Sequence, residues 1–173
     1  ELMKRAIPER WNTPGMDALP SMAQVDFAVV RNDAGELEPK LIELQGFPSL
    51  SAFQVVQHDA WEDELRQMPG LDLGWTCWFS GLDRQGYLDL ARKTILGNHS
   101  PEEVILMDLD PPSQKTWPDF ATTKLLFDVE PVAPNDMIIQ GKRLWRIDPD
   151  GGGKLIPVRR IYNRVVFDEL AAK

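Results

Sequence analysis

Residues 26–50 read DFAVVRNDAGELEPKLIELQGFPSL, which predicts two β-strands joined by a tight turn at residues 33–35. Side chains alternate between the faces of a strand, so Glu43 and Gln45 share one face of the second strand. If the turn is two residues long, the register places Asp26 directly opposite Glu43. A one-residue bulge at the turn glycine would move the two carboxylates to diagonal positions, still within reach of each other.

These side chains would place two carboxylates and one carboxamide on one patch of sheet. Like charges that face each other destabilise a sheet unless a cation lies between them, and magnesium is a hard cation that binds carboxylate oxygens. The alternative is an ordinary solvated hairpin face. The apolar neighbours in the second strand favour a half-buried sheet, where unpaired carboxylates are costly. We therefore predict that Asp26, Glu43 and Gln45 bind a metal ion.

Composition excludes several classes of protein. The chain has 173 residues and a net charge of −8, which argues against a nucleic-acid surface because phosphate binding needs clustered Lys and Arg. A single cysteine, Cys77, excludes an internal disulfide framework and suits a reducing compartment, so we predict a cytoplasmic protein. The sequence contains no apolar run of membrane-spanning length, so no membrane partner is expected. Because the chain starts at Glu1 and stops just after an apparent helix, we expect it to be part of a longer chain or to act with a partner lobe.

The remaining pattern predicts strands that alternate with helices after residue 73, which is typical of βαβ units and a mostly parallel sheet. The first predicted helix carries its apolar residues at Phe53, Val56, Ala60 and Leu65. We predict an α/β protein with two parts, a hairpin-plus-helix lobe at 1–72 and a small α/β lobe at 73–173. The predicted helices are 51–68, 83–96, 116–127 and 165–172, and the predicted strands are 74–80 (with Cys77 in the core), 104–109 and 155–160, with a hairpin at 137–147. Residues 161–170 are predicted to continue as helix, or as a strand followed by helix.

The hairpin resembles the metal-binding motif of ATP-grasp ligases. In that family an Asp opens one strand and Ile-Glu-Xaa-Asn on the next runs into a proline loop. Here Asp26, then Ile42-Glu43-Leu44-Gln45, with Pro48 beyond, are similar, and Gln45 stands where Asn is usual. The motif comes before a βαβ-like lobe, an order that is similar to the circularly permuted ATP-grasp proteins, which include glutathionylspermidine-synthase-like carboxylate–amine ligases. The resemblance implies an antiparallel ATP-grasp hairpin lobe followed by a pre-ATP-grasp-like lobe, with Mg2+ and ATP as cofactors.

A second concentration of charge lies at residues 158–164, VRRIYNR, where three arginines occur within six residues of an acidic chain. The planar guanidinium suits carboxylate or phosphate groups, whereas ion pairs with surface acids are the alternative. The resemblance implies that Arg160 or Arg164 binds the substrate carboxylate or the acyl phosphate, with Asn163 as a polar partner in the nucleotide cleft.

Three functions remain open from the sequence. The resemblance implies an ATP-dependent ligase that joins a small carboxylate to an amine through an acyl phosphate. An Asp, a turn and then Glu-Xaa-Gln also resembles the core of PD-(D/E)xK nucleases, although Gln45 replaces the usual Lys and the net charge is acidic. The third possibility is a non-catalytic interaction domain.

Overall fold

The computed structural model describes residues 20–46, 48–71, 76–166 and 170. The chain divides into two compact units, residues 1–48 and 49–173. The boundary between the two lobes was predicted near residue 72. In the structure, the segment after residue 48 belongs with the second unit, and its helix is anchored there at its N-terminus by a side chain from residue 119.

The first unit contains the predicted antiparallel hairpin, formed by β1 (Gln24–Arg31) and β2 (Leu37–Gln45). The loop is longer than the two residues considered above, because Arg31 pairs with Leu37 and residues 32–36 connect them. Asn32 organises this loop. Its side-chain oxygen accepts hydrogen bonds from the main-chain nitrogens of Ala34 (3.0 Å) and Glu36 (2.9 Å).

Asp26 lies opposite Glu43, as predicted, but a different feature sets this register. Between Arg31 and Phe27, each residue of β1 pairs with the β2 residue one position before the partner that a two-residue turn would give. If this register continued, Asp26 would lie opposite Ile42. A bulge between Asp26 and Phe27 leaves Ile42 as the extra residue and restores the pairing with Glu43. The bulge therefore brings the two carboxylates to the same face.

The opposite face of the hairpin is apolar and exposed, which corrects the expectation of a half-buried sheet. Its exposed side chains range from 46% accessible at Val25 to 71% at Val29. The apolar residues beside Glu43 and Gln45 in the sequence are therefore exposed rather than buried. The other large apolar residues of this face are Phe27, Leu37, Leu41 and Leu44.

The second unit is built around a parallel sheet with β3 (Val104–Met107) at its centre. β4 (Glu130–Val132) and β8 (Arg160–Asn163) flank it, both parallel to β3. The first three residues of β3 are fully buried, as expected for a central strand covered on both faces. Helix α3 (Trp117–Phe127) connects β3 to β4, so the predicted βαβ unit is present.

A separate antiparallel sheet follows, made of β5 (Ile138–Gln140), β6 (Arg143–Ile147) and β7 (Leu155–Val158). The hairpin predicted at 137–147 is confirmed. Residues 155–158 of the strand predicted at 155–160 form β7, but the chain then passes Arg159 and enters the parallel sheet as β8, as in the alternative of a strand followed by helix. The fold is therefore mixed α/β with parallel and antiparallel sheets.

The helices α1 (Phe53–Leu65) and α2 (Arg84–Leu96) agree with prediction apart from their ends. The side chain of Asp83 accepts a hydrogen bond from the main-chain nitrogen of Gly86 (2.7 Å) at the start of α2, and Gly97, with φ of 60°, ends the helix. Within α1 the buried residue is Val55 rather than the predicted stripe. In that stripe Val56 is 38% exposed.

Two other predicted elements, the strand at 74–80 and the helix at 165–172, are only partly covered by the described residues. Residues 76–80 of the predicted strand 74–80 are irregular, and residues 74 and 75 lie outside the described part of the chain. In the helix predicted at 165–172, Val165 and Val166 are not helical, whereas Leu170 is, and its main-chain nitrogen donates to the Val166 oxygen (3.3 Å). Residues 167–169 and 171–173 lie outside the described ranges. Among the helices in the described ranges, none is long and apolar enough to cross a membrane.

Candidate functional site

The acidic face of the hairpin brings the three predicted metal ligands together. The side-chain nitrogen of Gln45 donates hydrogen bonds to Asp26 Oδ2 (2.8 Å) and to Glu43 Oε1 (2.7 Å). Gln24 donates a further hydrogen bond to Asp26 Oδ1 (2.8 Å). The carboxamide of Gln45 thus bridges the two carboxylates.

This bridge explains how like charges are accommodated on one patch of sheet. A neutral amide offers two N–H groups to two anions, which reduces their repulsion without adding a counter-charge. The net charge of the cluster stays at −2, and Glu43 is exposed while Asp26 and Gln45 are half-buried. The cluster is therefore an accessible anionic site, and the donors that hydrogen-bond to its carboxylates are neutral side-chain amides.

A divalent cation is compatible with these side chains. The two carboxylates supply four oxygens, and rotation of the Gln45 amide would turn its oxygen toward the same point. Mg²⁺ keeps several of its waters and is often bound by one or two protein carboxylates together with substrate phosphates. Throughout residues 20–46, 48–71, 76–166 and 170, the structure forms no group of three or more His, Cys, Asp or Glu side chains that could hold a metal. The hairpin site therefore depends on two carboxylates supplemented by carboxamides.

Arg160 has a structural role in the second unit. Its guanidinium donates hydrogen bonds to the main-chain oxygens of Ile95 (2.8 Å, from Nε) and Thr94 (2.9 Å, from Nη2). These carbonyls belong to the last turn of α2, where helical partners are missing and a positive charge is favourable. The guanidinium predicted to bind substrate is thus engaged as a helix cap.

Asn163 and Arg164 lie at the end of β8. The side-chain oxygen of Asn163 accepts a hydrogen bond from the main-chain nitrogen of Val165 (3.2 Å), and its nitrogen donates to the Val165 oxygen (3.4 Å). Arg164 is buried, 7% exposed, and its main-chain nitrogen donates to the oxygen of Met107 (2.8 Å). Asn163 therefore makes local contacts that shape the exit from the strand.

Sequence reasoning missed a buried carboxylate at the start of α1. Ser49 and Ser51 precede this helix, but it is Asp119 Oδ1 that accepts hydrogen bonds from the main-chain nitrogens of Ala52 and Phe53, both at 3.0 Å. Asp119 is fully buried on α3, so it joins two helices that are distant in sequence. An acidic residue in the first turn of α3 was visible in the sequence, but its partner was not.

Sequence reasoning also missed a cavity beside α1 and α2. Its wall includes Cys77, which was expected in the core but is exposed. Partial burial raises the pKa of the Cys77 thiol, and the nearby carboxylates of Glu62 and Asp59 raise it further. The thiol is therefore protonated at neutral pH and is not an activated nucleophile. The signal in the sequence was the density of aromatic residues at 75–79, which we had interpreted as a strand.

Comparison of the chain with protein-family models, with curated proteins and with solved structures returns no match. The proposal below therefore depends on the residues of the hairpin and on the order of elements along the chain.

Proposed function

We propose that the chain is an ATP-dependent carboxylate–amine ligase of the ATP-grasp type, or a fragment of one, and that its hairpin holds the magnesium ion of the nucleotide site. The observation that carries this proposal is the cluster of Asp26, Glu43 and Gln45 on one face of β1 and β2. The spacing and order of these residues are those that the resemblance predicted, and their side chains share hydrogen bonds.

The proposed reaction has two steps. The γ-phosphoryl group of ATP passes to the oxygen of a substrate carboxylate, giving an acyl phosphate and ADP. An amine then attacks the acyl carbon, an amide bond forms, and inorganic phosphate leaves. Magnesium supplies charge neutralisation at the phosphate oxygens, which is where most of the catalysis of phosphoryl transfer lies.

The chain's own residues would act by binding and orienting. Asp26 and Glu43 would provide anionic oxygens, and Gln45 would rotate so that its amide oxygen replaces the N–H groups that now bridge them. Because Glu43 is exposed, its carboxylate would be accessible to a metal ion that arrives with a nucleotide. The resemblance assigns the substrate anion to Arg164 or Arg160, and of these the Arg160 guanidinium caps α2 in the structure.

Calorimetric titration with Mg²⁺, with and without ATP, tests this proposal. We expect saturable Mg²⁺ binding that strengthens in the presence of ATP, and a loss of at least tenfold in affinity in Glu43→Gln. The matched control is Glu38→Gln, which makes the same change on the same strand, at a residue that pairs with Lys40 (2.7 Å). Absence of Mg²⁺ binding would overturn the proposal, and binding of metal and DNA without ATP would favour the nuclease.

A further inference from the structure

An open cavity of about 930 Å³ lies in the second unit, between α1, α2 and the irregular segment that precedes α2. Large apolar side chains form most of its wall. Trp61 and Leu65 come from α1, Leu90 comes from α2, and Trp78 and Leu82 come from the connecting segment. Volumes of about 300–1,000 Å³ with mainly apolar walls are typical of small-molecule sites.

The aromatic part of the wall is held in place by ring contacts. The ring of Trp78 lies 5.0 Å from that of His58, edge to face, and 5.4 Å from that of Tyr87. Tyr87 is fixed in turn, because its hydroxyl donates a hydrogen bond to the main-chain oxygen of Ser51 (2.9 Å). Trp78 is thus braced on two sides and offers a preorganised surface to a ligand.

The wall carries almost no charge. Of the described residues that line the cavity, none is Lys, Arg, Asp or Glu, and the polar groups are two amides, two hydroxyls, a thiol, an imidazole and indole N–H groups. A charged ligand would lose its hydration here with no charged side chain in the wall to compensate, and an anion would also be repelled by the nearby carboxylates of Glu62 and Asp59. The chemistry of the wall therefore favours an uncharged ligand that can use a few hydrogen bonds.

The concave shape also distinguishes a small molecule from a protein partner. Much apolar surface is exposed at the cavity, with Trp61 58% and Phe79 77% accessible to water. A stable protein interface buries about 800 Å² of surface on each partner. A small ring-containing molecule needs much less surface and can be enclosed between the two helices. Aromatic rings stack favourably on the faces and edges of Trp and Tyr.

We propose that this cavity binds an uncharged small molecule that contains an aromatic ring. The proposal goes beyond the ligase function and is independent of it, because the described residues that line the cavity all belong to the second unit. The ring packs against Trp78 and Trp61, and Gln54 or Gln57 at the wall supplies hydrogen bonds to a polar substituent.

Fluorescence titration with the uncharged probe N-phenyl-1-naphthylamine tests the site. We expect saturable binding of one probe per chain in the wild-type protein. Gln57→Trp places a bulky ring at the wall and should weaken binding at least tenfold. Gln85→Trp makes the same change at an exposed position of α2 that does not line the cavity, and should leave the affinity unchanged. Circular dichroism of both variants confirms that they are folded.

A second probe tests the charge requirement. 8-Anilinonaphthalene-1-sulfonate has the same ring system plus a sulfonate, and we expect it to bind at least tenfold more weakly. Cys77 gives an independent readout, because the bound neutral probe should slow its alkylation by N-ethylmaleimide. Absence of saturable binding, equal affinity for the two probes, or unchanged affinity in Gln57→Trp would each overturn the proposal.

Discussion

The hairpin cluster and the arginine segment look alike in the sequence, since each concentrates charge within a few residues, but the structure uses them differently. Asp26 and Glu43 are bound by the side-chain amides of Gln24 and Gln45, which are neutral groups at the ends of rotatable side chains. Arg160 is bound to main-chain carbonyls that belong to a helix and cannot leave. Whether a charged group is available to a ligand thus depends on whether its present partners can be replaced.

The largest effect is expected where a carboxylate has main-chain partners, at Asp119. Asp119→Ala removes the acceptor for two main-chain N–H groups at the start of α1, and at least one of these would remain buried and unpaired. We expect the free energy of unfolding to fall by about 2–4 kcal/mol. Urea denaturation followed by tryptophan fluorescence measures this change.

Two controls sharpen the comparison of carboxylates. Asp119→Asn keeps one side-chain oxygen and should lose less stability than the alanine variant. Asp26→Ala, at the hairpin, should change the unfolding midpoint of the second unit very little. A large loss in Asp26→Ala together with a small loss in Asp119→Ala would reverse the roles assigned to these residues.

Arg160→Ala is expected to have the next largest effect. It removes two charge-assisted hydrogen bonds from the last turn of α2, so we expect a loss of about 1.5–3 kcal/mol in urea denaturation. Arg159→Ala is the matched control, because this neighbouring side chain is half exposed and lies 3.6 Å from Glu103. That variant should change stability by less than about 0.5 kcal/mol. Equal effects of the two substitutions would refute the capping role of Arg160.

The smallest effect is expected at the exposed ion pair between α1 and α2, formed by Asp59 and Arg84 at 2.7 Å. The hydrogen bond from Arg84 holds the pKa of Asp59 below its usual value of 3.8. A lowered pKa in the folded state contributes stability above the usual value and loses it as the pH falls through the folded value. The difference in stability between wild type and Arg84→Ala should therefore be at most about 1 kcal/mol at pH 7 and should shrink toward pH 2–3.

The Asp59→Asn background provides the control for this pH dependence. Arg84→Ala in that background should cost less at pH 7 than in the wild type, and its cost should not vary between pH 7 and pH 3. A gap between wild type and Arg84→Ala that widens in acid would contradict the assignment.

Much of the hairpin could be predicted from local pattern. Alternation of polar and apolar residues placed the two carboxylates on one face, and the assumed two-residue turn gave the observed Asp26–Glu43 pair although neither the turn nor the register near it has that form. The loop length and the bulge at Ile42 were not predictable. The longer loop shifts the register by one residue and the bulge shifts it back by one, so Asp26 still pairs with Glu43 as it would after a two-residue turn. The exposure of the apolar face could not be predicted either, since alternation shows which residues share a face but not whether another element covers it.

The second unit shows where local pattern is insufficient. The helix of residues 84–96 was predicted almost to the residue because its cap residues are adjacent in sequence. The roles of Asp119 and Arg160 depend on contacts more than 60 residues away along the chain, and no spacing rule encodes these. Residues 77–80 line a cavity instead of forming a strand, because composition alone does not distinguish a buried strand from an irregular segment with aromatic side chains.

The central claim is that the hairpin holds a divalent cation, and paramagnetic mapping locates such an ion directly. Mn²⁺, a substitute for Mg²⁺ with the same preference for oxygen ligands, is added in small amounts to the ¹⁵N-labelled chain, and the loss of amide signals is followed by NMR. We predict that the amides of residues 24–27 and 42–45 broaden first, that excess Mg²⁺ restores them, and that Glu43→Gln abolishes the effect. Broadening that begins at another acidic segment, such as residues 148–150, or that is unchanged in Glu43→Gln, would contradict the claim.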